Sequence, residues 1–386
     1  MERSDPIYLD YNATTPLHPA VREAMRPFLE SHFGNPSSSH VYGGRAREAV
    51  ERAREQVALL LGARPGEVVF TSGGSESNNH AIQGVARARR RQGNHIIASA
   101  VEHPAVGEVC RYLQTQGYRV TTIGVDGAGR VDPAAVEHAI TPETILITIM
   151  HANNEVGTLQ PIREIAAIAR SHGVPVHTDA AQSVGKIPVR VEELGVDVLS
   201  VAGHKLYAPK GVGALYVREG LALETLIHGA GHEAGRRAGT ENVAGIVGLG
   251  EACACAADEL PHRQTHMRAL RERLHEGIAS YVPDVRLNGH PEHRLPNTLS
   301  LGFPGVRASD LLSAMPAVAA SAGAACHADG VHISETLAAM RVPEDYAGGT
   351  VRFSTGMFLT ESDVDEAIAA VRDARRSLGA TRGGCA

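Results

Sequence analysis

Short runs of continuous apolar residues alternate along the chain with longer segments whose apolar positions recur every three or four residues. The runs fall at 67–71, 95–99, 145–150, 174–178, 196–201 and 213–217, with a further strand expected at 119–123. The helical spacing falls at 21–33, 44–61, 76–91, 105–116 and 162–172. Runs without polar alternation predict strands buried on both faces, and strands alternating with helices predict a mostly parallel sheet covered on both sides. After about Gly250 the pattern changes. A long helical segment at 252–281 leads into strands at 295–303 and 350–354, and a closing helix is expected at 361–378. The expected organisation is α/β: a large domain at 16–255 with a seven-stranded, mostly parallel sheet, and a smaller α+β domain formed by 1–15 and 256–386. The tail 381–386 is expected to fray.

Composition narrows the class. The chain has 386 residues, 43% hydrophobic and 21% charged, the balance of a soluble globular protein of roughly two domains. No stretch approaches the ~18–20 uninterrupted apolar residues of a membrane span. The first ten residues carry charges and Pro6 but no apolar signal core, so a cytoplasmic protein is expected. The net charge is −6, which predicts no nucleic-acid partner; the cluster Arg87, Arg89, Arg90 and Arg91 reads as a solvated helix end. Five cysteines, Cys110, Cys253, Cys255, Cys326 and Cys385, are too few and scattered for a disulfide framework, and no metal-ligand spacing is present.

One count is more informative. Of the 37 basic residues only Lys186, Lys205 and Lys210 are lysines. Arginine serves wherever charge alone suffices, so a surviving lysine is a candidate for chemistry that needs an amine, such as a Schiff base. Context then selects among the three. The loop Thr71-Ser72-Gly73-Gly74-Ser75 joins a strand to a helix and suits a phosphate, through backbone amides, hydroxyls and the helix dipole; a plain Gly-rich turn with a Ser cap accounts for it equally well. Asp179 ends a strand, where a buried carboxylate needs a cationic partner. Lys205 follows the next strand, in the loop 203–211. Phosphate loop, strand-end aspartate and loop lysine, in that order, describe a pyridoxal phosphate site.

These segments resemble the cysteine desulfurase and selenocysteine lyase family, class V aminotransferase-like enzymes of fold-type I that depend on pyridoxal phosphate. The likeness covers nearly the whole chain, at 8–16 (YLDYNATTP), 34–37 (GNPS), 71–78 (TSGGSESN), 102–103 (EH), 153–157 (NNEVG), 177–182 (HTDAAQ), 203–211 (GHKLYAPKG), 239–242 (GTEN), 295–298 (LPNT) and 321–326 (SAGAAC). It implies that Lys205 holds the cofactor covalently and shuttles the Cα proton, with His103 over the ring assisting. Asp179 would pair with the ring nitrogen, while Gln182 and Asn154 face the ring hydroxyl and the substrate. Gly74, Ser75 and His204 would bind the phosphate, and Thr240 would reach it from a second subunit, which implies a homodimer. Arg352 would clamp the substrate carboxylate. His103 before Pro104 reads equally as a helix cap, and Arg352 as a structural strand residue. Lys186 and Lys210 are left as structural.

Cys326 sits among small residues and is the expected thiolate nucleophile, taking the substrate sulfur as a persulfide; a buried small hydrophobe is the alternative. Cys110, Cys253 and Cys255 lie in helical patterns and are expected in the core, while Cys385 has no assigned role. The chain departs from the family pattern at Ala202, which removes one phosphate hydroxyl, and at Met357, where arginine is frequent. The segment 323–329 (GAACHAD) resembles the loop of selenocysteine lyases more than that of many desulfurases. The expected activity is desulfuration of L-cysteine to L-alanine, with a separate protein accepting the sulfur from Cys326. The rivals are a selenocysteine lyase acting on L-selenocysteine, an aminotransferase, and a non-catalytic sulfur-delivery protein on the same fold.

Overall fold

The structure, a computed structural model, describes residues 5–327 and 330–383, with the side chains of all these except 324–332 and 379–383. Its centre is a seven-stranded sheet in the order Val68–Thr71, Gly213–Val217, Val198–Ala202, Val176–Asp179, Thr144–Thr148, His95–Ser99, Arg119–Ile123. All pairings are parallel except those of Gly213–Val217, which runs antiparallel to both neighbours. Six strands are buried along their whole length, which is why they read as continuous apolar runs. The edge strand Arg119–Ile123 is exposed at Arg119 and Thr122 and buried at Ile123 alone.

The strand period of two sends successive side chains into different layers. Val68, Phe70, Leu199, Val201, Ala214 and Tyr216 join Val50, Val57, Ile162, Ile165, Ile246 and Leu249 in one cluster. Val69, Val198, Leu215 and Val217 face the other way, onto Ala81, Ile82 and Val85 of the helix Gly74–Ala88 and Val106 and Leu113 of the helix Pro104–Thr115. A one-residue slip in any central strand would exchange the two sets.

A second core gathers Ile7, Leu9 and Tyr11 with Leu270, Leu274, Leu299, Leu301, Phe303, Val351, Phe353 and Val364. It lies against an antiparallel sheet in the order Ser321–Ala322, Thr350–Ser354, Thr298–Gly302, Arg286–Asn288. The N-terminal strand Ile7–Tyr8 pairs in parallel with Val318–Ala319, so the first residues of the chain are tied to its last third. One helix of 39 residues, Val243–Tyr281, serves both cores.

That helix starts well before the 252 expected, because Gly245, Gly248 and Gly250 look like helix breakers. Here close packing requires their bareness. A Cβ on Gly250 would lie 2.6 Å from Ala53 Cβ of the helix Val41–Leu61, and one on Gly248 would meet Met25 and Pro209. The short helices Pro133–Ala139 and Ala308–Ala314 and the hairpin of Ala324–His327 with Gly330–Ile333 were not expected. Of the tail 381–386 expected to fray, residues 381–383 continue the closing helix Glu361–Gly383; residues 384–386, Cys385 among them, lie outside the described residues. Cys110 and Cys253 are buried as expected, whereas Cys255 is only partly so.

A buried ion pair fastens a surface loop to the sheet edge. Arg54 meets Glu233 in a two-pronged contact at 2.8 and 2.9 Å, and Glu233 also accepts the Phe70 amide. The two side chains are only 8% and 3% exposed. Glu233→Ala leaves the guanidinium desolvated with Glu51 and the Val68 carbonyl as partners, and removing one partner of a buried pair costs about 3–5 kcal/mol. We expect a loss near the lower figure, read as a lower urea midpoint for the apoprotein.

Candidate active site

The carboxyl ends of the sheet strands converge on one cavity of about 350 Å³, the place where open α/β sheets collect ligands. Gly74, Ser75, His103, Asn154, Asp179, Gln182, His204, Lys205 and Arg352 all line it. A larger and more open depression, about 750 Å³, surrounds the Arg54–Glu233 pair, whose two charges are matched to one another. Thr240 lines a separate recess with Ser72, Gly239 and Asn242, away from the cavity of its own chain.

Asp179 is the last residue of its strand and is 5% exposed. Its carboxylate accepts from Asn78 Nδ2 at 2.7 Å and from the Ala181 amide at 2.9 Å. No cationic side chain reaches ion-pairing distance of it among the described residues. The Asn78 Oδ1 atom beside it is buried without a partner. A buried carboxylate fed only by neutral donors and open to a cavity is a place for a protonated ring nitrogen.

On the next strand-to-loop transition stands Lys205. Its Nζ donates to Asn12 O at 2.6 Å and Ala13 O at 2.7 Å. Burial, then the charge of Arg352, pushes its amine down to about 8, where a substantial neutral, nucleophilic fraction exists at ordinary pH. His204 beside it donates or accepts at Thr14 Oγ1, 3.2 Å away, and burial pushes its imidazole down to about 4. Lys210 is exposed on the same loop.

The loop 71–75 joins a strand to a helix, as its sequence suggests. Gly73 adopts φ +145°, a conformation that L side chains rarely take, and the helix Gly74–Ala88 starts immediately after it. Its first amides have no intrahelical partner by construction. A Cβ on Gly74 would come 3.1 Å from the Ala202 methyl, so small residues at both positions keep this corner open. The Glu76 carboxylate in the first turn is drawn aside by Arg237, at 2.8 and 3.2 Å.

His103 is the helix cap that one reading expected, and it also lines the cavity. It caps the helix Pro104–Thr115, its Nδ1 accepting from the Ala105 amide at 3.1 Å, while its ring lines the cavity. Burial, opposed by the nearby Asp179, lowers its pKa. With Nδ1 an acceptor, the neutral ring carries its hydrogen on Nε2. Arg352, on the strand Thr350–Ser354, donates to Asp10 at 2.7 Å, Ser321 at 3.1 Å and Asn154 O at 3.0 Å, and its Nε has no partner. Its charge faces the cavity mouth with only one carboxylate in contact. Cys326 lies in the strand Ala324–His327, opposite Val331; its side chain lies outside the described residues, as does the segment 328–329.

Asn12, Asn78 and Lys186 were missed as site residues. Asn12 and Asn78 stand inside quoted segments but carry no chemistry of their own to draw attention. Lys186 was set aside as structural, although it is 3% exposed and bonded to the cavity wall.

The donor set fits pyridoxal phosphate: a lysine whose amine is pushed down to about 8, a buried acid without a cation, and a helix N-terminus opened by glycine. Comparisons with known proteins agree. Residues 7–367 match the model of the class V aminotransferase family. A cysteine desulfurase IscS of Dictyoglomus turgidum is 47% identical over 93% of this chain and 92% of its own length. The cysteine desulfurase of Homo sapiens is 45% identical over 93% of this chain and 79% of its own. Among solved structures, a NifS-like protein superposes with a TM-score of 0.91 at 37% identity, covering 96% of this chain and 99% of that one. A structure described as SspA in complex with cysteine gives 0.80 at 38% identity, covering 92% and 99%. With its sheet, its lysine loop and these likenesses together, the chain belongs to the class V aminotransferase family, in its cysteine desulfurase branch.

Proposed function

We propose that this protein is a pyridoxal phosphate-dependent cysteine desulfurase: it converts L-cysteine to L-alanine and passes the sulfur to Cys326 as a persulfide. The observation that carries the proposal is the pairing, across one cavity, of the Lys205 amine with the cation-free Asp179 carboxylate. When bound, pyridoxal phosphate supplies an electron sink that makes Cβ–S cleavage feasible after loss of the Cα proton.

The chain's own groups do the rest. Gly74, Ser75 and His204 hold the phosphate, with Thr240 of a second subunit completing the cradle, and Asp179 keeps the ring nitrogen protonated. Gln182 and Asn154 face the ring hydroxyl. Arg352 orients the substrate carboxylate, which places Cα against Lys205. Lys205 takes the Cα proton and returns it, and His103 Nε2 serves as a proton carrier on the other face. Cys326 thiolate attacks the substrate sulfur; the S–S bond forms as the Cβ–S bond breaks, and the released electron pair is protonated to give alanine. The balance is L-cysteine plus a protein thiol to L-alanine plus a protein persulfide, which a thiol-bearing acceptor protein then discharges.

A homodimer is part of the proposal. Leu29, Phe33 and Val41 are 69%, 80% and 69% exposed, and Phe33 stacks on Tyr42 with ring centroids 5.4 Å apart; exposed apolar clusters of this kind support self-association. Residues 16–255 would form the cofactor-binding unit, and 1–15 with 256–386 the unit that carries Cys326. A cytoplasmic location accords with the free thiols Cys110 and Cys253. No helix among the described residues is long and apolar enough to cross a membrane.

The test is direct. The purified protein should be yellow, and borohydride should bleach it and fix the cofactor on one peptide. Recovery of the label on Lys186 or Lys210 instead of Lys205 would defeat the assignment.

A further inference from the structure

Lys186 has no role in the chemistry just described, yet it is buried against the cavity wall. Its Nζ donates to Gln182 Oε1 at 2.8 Å and to Asn12 Oδ1 at 3.0 Å. Burial, then the neighbouring charges of Lys205 and Arg352, holds its amine well below the ordinary lysine value. A lysine nitrogen donates hydrogens, and two side-chain oxygens meet it. The charges acting on it are cationic, so this lysine does not serve to balance an acid.

Its effect falls on Gln182. An amine offers hydrogens, so it fixes the carbonyl oxygen of the amide toward itself and turns Nε2 the other way. Nε2 donates to Asn12 O at 3.0 Å, the same carbonyl that accepts from Lys205 Nζ. Asn12 is held in turn by Thr298 Oγ1 at 2.8 Å and by Asn297 Nδ2 at 3.0 Å. Without a donor at position 186, the Gln182 amide could rotate by half a turn and present an oxygen to the cavity, since the two ends have nearly the same shape.

We infer that Lys186 is a positioning residue: it fixes the Gln182 amide with its nitrogen toward the cavity, so that the cofactor's ring oxygen meets a donor rather than an acceptor. This rests on the reading of the cavity as a pyridoxal phosphate site. The lysine acts through Gln182 and Asn12 and touches neither cofactor nor substrate.

The test is a double-mutant cycle on the full-length protein, stripped of cofactor and titrated with pyridoxal phosphate. Lys186→Met keeps the length and apolar stem and removes both donors. Its cofactor affinity should fall by about tenfold, the cost of about one misdirected hydrogen bond, and the visible absorbance band should move. In a Gln182→Ala background the same substitution should change affinity by less than about twofold, because coupled residues are not additive. Equal losses in both backgrounds, or a lower thermal midpoint with band and affinity unchanged, would mean a purely structural lysine and would overturn the inference.

Should Lys186→Met fail to fold, Gln182→Glu takes its place. It preserves an acceptor for Lys186, replaces the donor aimed at the cavity by an oxygen and adds a carboxylate charge, so unchanged affinity and spectrum there would overturn the inference as well. A parent protein that takes up no pyridoxal phosphate would overturn both the site and this role. A parent that binds normally, with variants that do the same, would defeat the role of Lys186 alone.

Discussion

Lys205→Ala should leave a folded protein that converts L-cysteine to alanine about 10²–10⁴-fold more slowly, the range that a lost, well-placed proton carrier costs. Asp179 and the open helix start at Gly74 remain, so pyridoxal phosphate should still bind, but borohydride should fix none of it to the chain. Wild-type protein has a further signature. Only the neutral amine attacks an aldehyde, and the Lys205 amine is pushed down to about 8 by burial and then by Arg352. Below that pH the amine is mostly protonated, and above it mostly free. Capture of pyridoxal phosphate by the apoprotein should therefore accelerate as pH rises toward 8 and level off beyond it. An unperturbed lysine would keep accelerating toward about 10.4. A rate that still climbs steeply at pH 9.5, or an alanine variant with parental activity, would remove Lys205 from its role.

The parts of this architecture that were legible in the sequence are those written as contrast. Strands buried on both faces stand out as uninterrupted apolar runs, and His95–Ser99 and Gly213–Val217 fall where the runs predict them. Asp179 and Lys205 were visible because each is costly to bury and stands at a strand end. The start of Val243–Tyr281 was hidden, since glycine marks both a broken helix and a close helix contact, and only Ala53 and Met25 on the facing elements decide which. Asn12 was hidden for another reason. It joins Lys205, Gln182, Lys186 and Asn297 through both its backbone and its side chain, and no local pattern records contacts so distant along the chain. Arginine's dominance made the three lysines conspicuous, yet the count could not separate the reactive amine of Lys205 from the buried, orienting one of Lys186. That distinction needs the neighbours: two backbone carbonyls beside a cavity for one, two side-chain oxygens within the wall for the other.

Cys326→Ala is expected to separate binding from sulfur removal. Lys205, Asp179 and Arg352 are untouched by it, so L-cysteine should still bind and change the cofactor spectrum, and the reaction should then stall. Without a thiolate to take the sulfur, the Cβ–S bond has no acceptor, and alanine formation should fall by about 10³-fold or more, the scale of a lost nucleophile that acts only in the transition state. Because substrate still binds, the loss should appear in kcat with KM little changed. L-selenocysteine provides the contrast. Its C–Se bond is weaker and selenide is the better leaving group, so the variant should retain appreciable alanine formation from it. Full activity of the variant on L-cysteine would refute transfer through Cys326. Equal and complete loss on both substrates, with normal spectral changes, would instead assign the thiol as a proton donor to the departing atom. The expected outcome is the stall on cysteine with residual turnover of selenocysteine. It distinguishes a desulfurase that needs its thiol from a lyase that does not, on a chain whose 323–329 segment resembles the second while its curated relatives bear the name of the first.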